Sequence, residues 1–273
     1  MSETTPAVLV TGAARGLGAV MVEHLAAHGY TVFAGMREPT TVPSPEVVPV
    51  RLDVTDPSTI ASAVAEVADR VGDAGLAGLV NNAAVLRAGP LELAPLAAVE
   101  EQLRTNVVGP IAVTQAALPL LRSARGRIVN VSSINAQLPM PYWALYSASK
   151  AALVALSDAW RMELAPWGVD VTVLTLGAFR TDIREEAARG WVSAGDDDPY
   201  ESARLAQANL VAMLDATAAD PRRVGEGLIE VLAAPVAPAA MAIGDGIEDL
   251  LALSAEPAEV RQSVLAGLLA APG

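Results

Sequence analysis

Short runs of apolar, β-branched residues alternate with longer stretches rich in Ala and Leu along most of the chain. The short runs predict strands near Ala7 to Thr11, Thr31 to Ala34, Val47 to Leu52, Leu79 to Asn81, Arg127 to Val131, Val169 to Leu174 and Ala240 to Ile243. The longer stretches predict helices near Gly16 to Ala27, Pro57 to Val71, Pro95 to Leu121, Tyr146 to Ala165 and Arg222 to Leu232. Strand and helix in regular alternation imply right-handed crossovers, and therefore an α/β fold: a doubly wound parallel sheet in a single domain spanning residues 1–273. Residues 179–214 break the rhythm with charge, Gly and Pro, notably Gly195-Asp196-Asp197-Asp198-Pro199. This segment predicts a helical insertion at the carboxyl edge of the sheet, where a substrate lid would sit.

Composition sharpens this reading. Hydrophobic residues make up 52% of the 273 and aromatics only 4%, so the core is built from Ala, Val and Leu, as suits helices packed closely on a parallel sheet. The mean hydropathy is +0.39. Runs such as Ile111 to Leu121 are nevertheless interrupted by Gln115 and Pro119, so no transmembrane helix and no membrane partner are expected. The first residues lack a basic stretch followed by an apolar one, which makes a cytoplasmic address the expectation. A net charge of −13 argues against nucleic acid as a partner. There is no cysteine, and His24 and His28 are the only histidines, so neither a disulfide framework, a thiol nucleophile nor a zinc site is expected.

Three motifs carry chemistry. Thr11-Gly12-Ala13-Ala14-Arg15-Gly16-Leu17-Gly18 follows a predicted strand and opens a helix, a context in which backbone N–H groups and the positive helix end face a pyrophosphate. Tyr146 and Lys150 stand one helical turn apart, so the ammonium is expected to stabilise a phenolate. Ser133 lies thirteen positions before Tyr146 and ends a strand. Each element alone has an ordinary explanation: a tight turn, a surface pair, a serine bonding its own backbone. Their combination points to nicotinamide-dependent carbonyl and alcohol redox chemistry.

The glycine spacing is Gly-x-x-x-Gly-x-Gly, and with it the chain resembles the classical short-chain dehydrogenase/reductase family from about Ala7 to Ile243. The resemblance implies a catalytic set of Ser133, Tyr146, Lys150 and Asn106, the last supporting a water-linked proton relay. It implies cofactor contacts at Gly12, Arg15, Gly16, Leu17, Gly18, Asp53, Val54, Asn82, Ala83, Tyr146, Lys150 and Thr181. A carboxylate at Asp53 can equally cap a turn, and an amide at Asn106 can be satisfied within its helix. Ala84 and Leu176 depart from the family pattern, which usually has Gly and Pro there. Relatives associate through their two long helices, so a homodimer or homotetramer is expected.

Cofactor choice is read at the end of the second strand. An acid there accepts from ribose hydroxyls, whereas a nearby Arg suits a 2′-phosphate. Here Met36 holds the acid's place, with Arg37 next and Arg15 in the glycine turn, which favours NADP(H) over NAD(H). Aromatic residues are scarce, yet Tyr142, Trp143, Phe179, Trp191 and Tyr200 fall where the family builds its substrate pocket. The expected substrate is an apolar ketone or secondary alcohol. A catalytically silent NADP-binding regulator or scaffold on the same fold is the alternative.

Overall fold

Seven strands form one parallel sheet among the described residues of this computed structural model, which are 5–40, 42, 44–180 and 199–269. The strands are β1 (Ala7–Thr11), β2 (Thr31–Met36), β3 (Val47–Arg51), β4 (Gly78–Asn81), β5 (Arg127–Ser133), β6 (Asp170–Leu176) and β7 (Ala240–Ile243), ordered β3-β2-β1-β4-β5-β6-β7. Alternate residues feed opposite cores. Val8 and Val10 of β1 pack beneath helices α1 (Gly16–Ala27) and α7 (Arg222–Ala233) with Met21, Leu25 and Leu228. Ala7 and Leu9 face α2 (Pro57–Val71) and α4 (Gly109–Ala124) with Val67, Val113 and Leu121. Both faces of the central strands are covered, which explains their nearly unbroken apolar sequence.

The predicted helix near Pro95 to Leu121 is three pieces rather than one. An α-helix α3 (Leu96–Leu103) passes through a π-helical turn at Arg104–Val108 into α4. The extra residue in such a turn re-aims side chains, and Asn106 sits inside it, buried. Together Leu96–Ala124 is long and apolar enough to cross a bilayer by length and composition, contrary to the expectation from its short runs. In this fold Val113, Ala117 and Leu121 pack it against the sheet.

Strands β5 and β6 each run two residues beyond their expected ends, because β6 is paired on both sides, Leu176 with Ser133 and with Ile243. Helix α5 (Ala144–Leu164) carries Tyr146 and Lys150 on a buried face. Helix α6 (Glu201–Ala216) is the described part of the predicted insertion. Two further helices, α8 (Ile247–Ser254) and α9 (Ala258–Leu269), follow β7. The sequence reading did not anticipate them.

Candidate active site

The strand order reverses between β1 and β4, and the carboxyl ends of these strands open a crevice there, the usual ligand position in such sheets. Thr11 and Asn82 tie its two sides together. The Thr11 hydroxyl accepts from the backbone N–H groups of Asn82 and Ala83, both at 3.0 Å, while Asn82 Nδ2 donates to the carbonyls of Thr11 at 2.9 Å and Gly12 at 3.1 Å. The glycine turn is therefore held from the opposite strand.

Two glycines of the turn are required by space. Gly12 has φ +65°, and a Cβ on it would lie 2.8 Å from Ala83 Cα. A Cβ on Gly18 would lie 2.1 Å from the Gly12 carbonyl oxygen, so the first turn of α1 packs directly on the loop before it. That first turn has no side-chain cap and no acidic residue. A helix end of this kind suits a bound phosphate, and the cradle fits a dinucleotide.

Gly12, Arg15, Gly16, Leu17 and Gly18 line a cleft of about 310 Å³ together with Met36, Arg37, Asp53, Val54, Asn82 and Ala83. The expected cofactor-side residues are thus gathered in one wall system, except Tyr146 and Lys150, which line the adjoining cavity, and Thr181, which lies outside the described residues. Asp53 serves its local turn as well, its Oδ1 accepting from the Thr55 N–H at 2.9 Å and the Thr55 hydroxyl at 2.7 Å. Glu101 also borders the cleft, a residue the sequence reading passed over.

Leu17, Asn82 and Ala84 belong both to this cleft and to a second cavity of about 480 Å³, so the two meet there. Ala84, one of the departures from the family pattern, stands at the junction. Ser133, Tyr146 and Lys150 all line the second cavity. Its remaining wall is mainly apolar, with Trp143, Phe179, Leu210 and Met213 joined by Leu250, Leu253 and Leu265 from α8 and α9.

Strand β5 delivers Ser133 at its last position, and the hydroxyl accepts from the Asn135 N–H at 3.2 Å. Tyr146 is buried and Trp143 packs edge-on against it, ring centres 6.5 Å apart. Burial pushes the Tyr146 phenol up to about 12, and its hydrogen bond with Ser133 opposes this only in part. The Lys150 side chain is engaged by β5. Its ammonium donates to the Val131 carbonyl at 2.8 Å, and burial brings the lysine itself down to about 8. The expected stabilisation of a phenolate by Lys150 is therefore outweighed in this state by desolvation of the phenol.

Asn106 uses its side chain on neighbouring backbone. Its Oδ1 accepts from the Val85 N–H at 2.9 Å, and its Nδ2 donates to the Val85 carbonyl at 2.9 Å and the Ser149 hydroxyl at 3.0 Å. The amide thus fixes α5 against the segment after β4. Of the aromatic residues expected around the substrate, Trp143 and Phe179 line the cavity. Tyr142 and Tyr200 do not: Tyr142 has φ +66° at the helix entry, and the Tyr200 hydroxyl donates to Glu92 at 2.6 Å. Trp191 lies outside the described residues.

With this geometry in place, the comparisons with known proteins agree with it. The family described as short chain dehydrogenase matches residues 6–190. Estradiol 17-beta-dehydrogenase 2 of Rattus norvegicus is 40% identical over 187 residues, 65% of this chain and 49% of that enzyme. The chain therefore spans about half the length of this relative. A short-chain dehydrogenase from Streptomyces avermitilis superposes with a TM-score of 0.78 at 30% identity, over 98% of this chain and 96% of that one. One from Burkholderia cenocepacia J2315, solved in complex with NADP, gives 0.73 at 29% identity, over 97% and 98%.

Proposed function

Because the chain belongs to the short-chain dehydrogenase family, we propose that it is an NADP(H)-dependent oxidoreductase that interconverts an apolar ketone and its secondary alcohol. The observation that carries this reading is that Ser133, Tyr146 and Lys150 line one mainly apolar cavity that meets the glycine-turn cleft.

In the reducing direction the substrate carbonyl oxygen sits between Ser133 and Tyr146. The Ser133 hydroxyl donates a hydrogen bond that polarises the carbonyl and fixes its orientation. Tyr146, protonated at neutral pH because burial holds its phenol up, gives the oxygen its proton. When bound, the nicotinamide supplies the hydride for the carbonyl carbon. Lys150, in the second cavity, would hold the cofactor's ribose hydroxyls, and Arg15 and Arg37, in the glycine-turn cleft, would receive a 2′-phosphate. Asn106 acts by keeping α5 in register with the segment after β4.

The substrate is bulky and apolar, since the wall is closed by Trp143, Phe179, Leu138, Leu210 and the two last helices. Met213, Val264 and Leu268 line the cavity and are about 40% exposed, so they form its mouth between α6 and α9. Helix α6 serves as a lid in this reading. The exposed Leu96, Leu103, Val108 and Met162 on the long helices suit a homodimer or homotetramer. The relative named for estradiol and the neighbour solved with NADP support the substrate class and the cofactor.

Steady-state assays on aryl ketones, polycyclic ketones and small charged keto acids, each with NADPH and NADH, test the reading. The highest kcat/KM belongs to an apolar ketone with NADPH, and Arg37→Asp reverses the cofactor preference. Highest activity on a charged keto acid overturns the substrate class, and a native preference for NADH overturns the cofactor.

A further inference from the structure

Met36 holds the acid's place at the end of β2, and Glu38 beyond it does not line the cleft, yet the fold brings an acid there from a different element. Glu101 of α3 lines the cleft together with Arg37. Its carboxylate is fixed rather than free to swing. Arg87 grips both oxygens, Nε to Oε2 at 2.9 Å and Nη2 to Oε1 at 2.6 Å. A paired fork of this kind is the more directional form of ion pair.

The pair is itself held. The Arg87 backbone N–H donates to Gln102 Oε1 at 2.7 Å, and Gln102 Nε2 donates to the Val85 carbonyl at 2.6 Å. Gln102 is fully buried, so this clamp ties the segment 85–87 to α3. Arg87 first, and the Arg37 charge in addition, hold the Glu101 carboxyl below its ordinary range. It stays ionised whenever the protein is folded at neutral pH.

We propose that Glu101 is a selectivity residue, competing with a cofactor 2′-phosphate for the Arg37 guanidinium and so restraining the preference for the phosphorylated dinucleotide. The inference rests on the reading that the cofactor's adenosine end lies beside Arg37. A 2′-phosphate brings further negative charge to a wall that already carries Glu101, whereas a free ribose hydroxyl does not. Arg87 neutralises part of the Glu101 charge, so the two residues act on the preference with opposite signs. A pair that served only to order the segment 85–87 would affect both dinucleotides alike.

The test is direct binding of NADPH and NADH to the full chain, by titration calorimetry in low-salt buffer and again at high salt. The wild type is compared with Glu101→Gln and Arg87→Met. The expected result is that Glu101→Gln raises the ratio of the NADH to the NADPH dissociation constant by about 3- to 10-fold, as loss of one partly screened charge implies. Arg87→Met lowers the same ratio, and high salt shrinks both changes. An unchanged ratio in Glu101→Gln, or movement of both variants in the same direction, overturns the proposal. A wild type that binds NADH more tightly contradicts the cofactor preference alone, since the Glu101 effect is read from the change in ratio.

Discussion

The Lys150 ammonium lies 5.7 Å from the centre of the Tyr146 ring, yet it gives its hydrogen bond to the Val131 carbonyl. Both groups are buried, and burial drives them in opposite directions, the phenol up to about 12 and the ammonium down to about 8. Each shift favours the uncharged form. In the proposed reaction, the site at rest therefore carries its proton on Tyr146, as the reducing direction would require. Oxidation needs that proton removed, which the positive charge of an oxidised nicotinamide assists.

Stability should record the buried lysine. Between about pH 8 and 10.5 the unfolded chain keeps a proton that folded Lys150 has lost, so this group makes stability rise with pH across that window. Below it, the full cost of the buried charge is present, roughly 3 kcal/mol. Tyr146 acts oppositely above pH 10, where the unfolded chain ionises first and stability falls. Lys150→Met should thus raise the melting temperature relative to wild type more at pH 7 than at pH 10. Loss of the bond to Val131 offsets the gain by about 1 kcal/mol at either pH. A difference between variant and wild type that does not change with pH contradicts the shift.

The glycine turn tolerates no methyl at its closest contact. Gly18→Ala places a Cβ against the Gly12 carbonyl and forces α1 away from the loop. The expected cost is about 1–3 kcal/mol of stability, with a much larger loss of dinucleotide affinity. Thermal melts and cofactor titration of the one variant check both, and unchanged affinity would show that the turn does not hold the cofactor.

Closure of the substrate cavity by α9 predicts a size-dependent effect. Leu265 is 7% exposed and packs with Ile134 and Leu138. Leu265→Ala removes apolar contact at the wall while leaving Ser133 and Tyr146 in place. The KM for polycyclic ketones should rise several-fold, with kcat/KM for a small ketone nearly unchanged. Equal losses on both substrates would mean that α9 supports the whole fold rather than the cavity.

Much of this architecture was legible in the sequence because parallel strands buried on both faces leave an unmistakable apolar run, as in Ala7–Thr11. Asp56 before Pro57 marks the start of α2, and its side chain caps the helix through the Ser58 N–H. The π-helical turn at Arg104–Val108 carries no such mark. It arises where Gln102 and Asn106 both reach the backbone of Val85, a tertiary demand. Helices α8 and α9 follow the last strand, and α9 has no clear apolar stripe, so which of their leucines face a ligand depends on where β7 delivers them. Residue type misled at Tyr142 and Tyr200, since an aromatic ring near a pocket in sequence need not point into it. Glu101 went unread because it shares a cleft with Arg37 only once residues 64 positions apart in the sequence are folded together.

The most direct test of the account is turnover by Tyr146→Phe, a change that deletes the phenolic proton and almost no volume. NADPH binding to the purified variant should remain close to wild type while kcat for an apolar ketone falls by about 10²- to 10⁴-fold. Near-normal kcat in a variant that binds cofactor would contradict the assignment of Tyr146 as the proton donor.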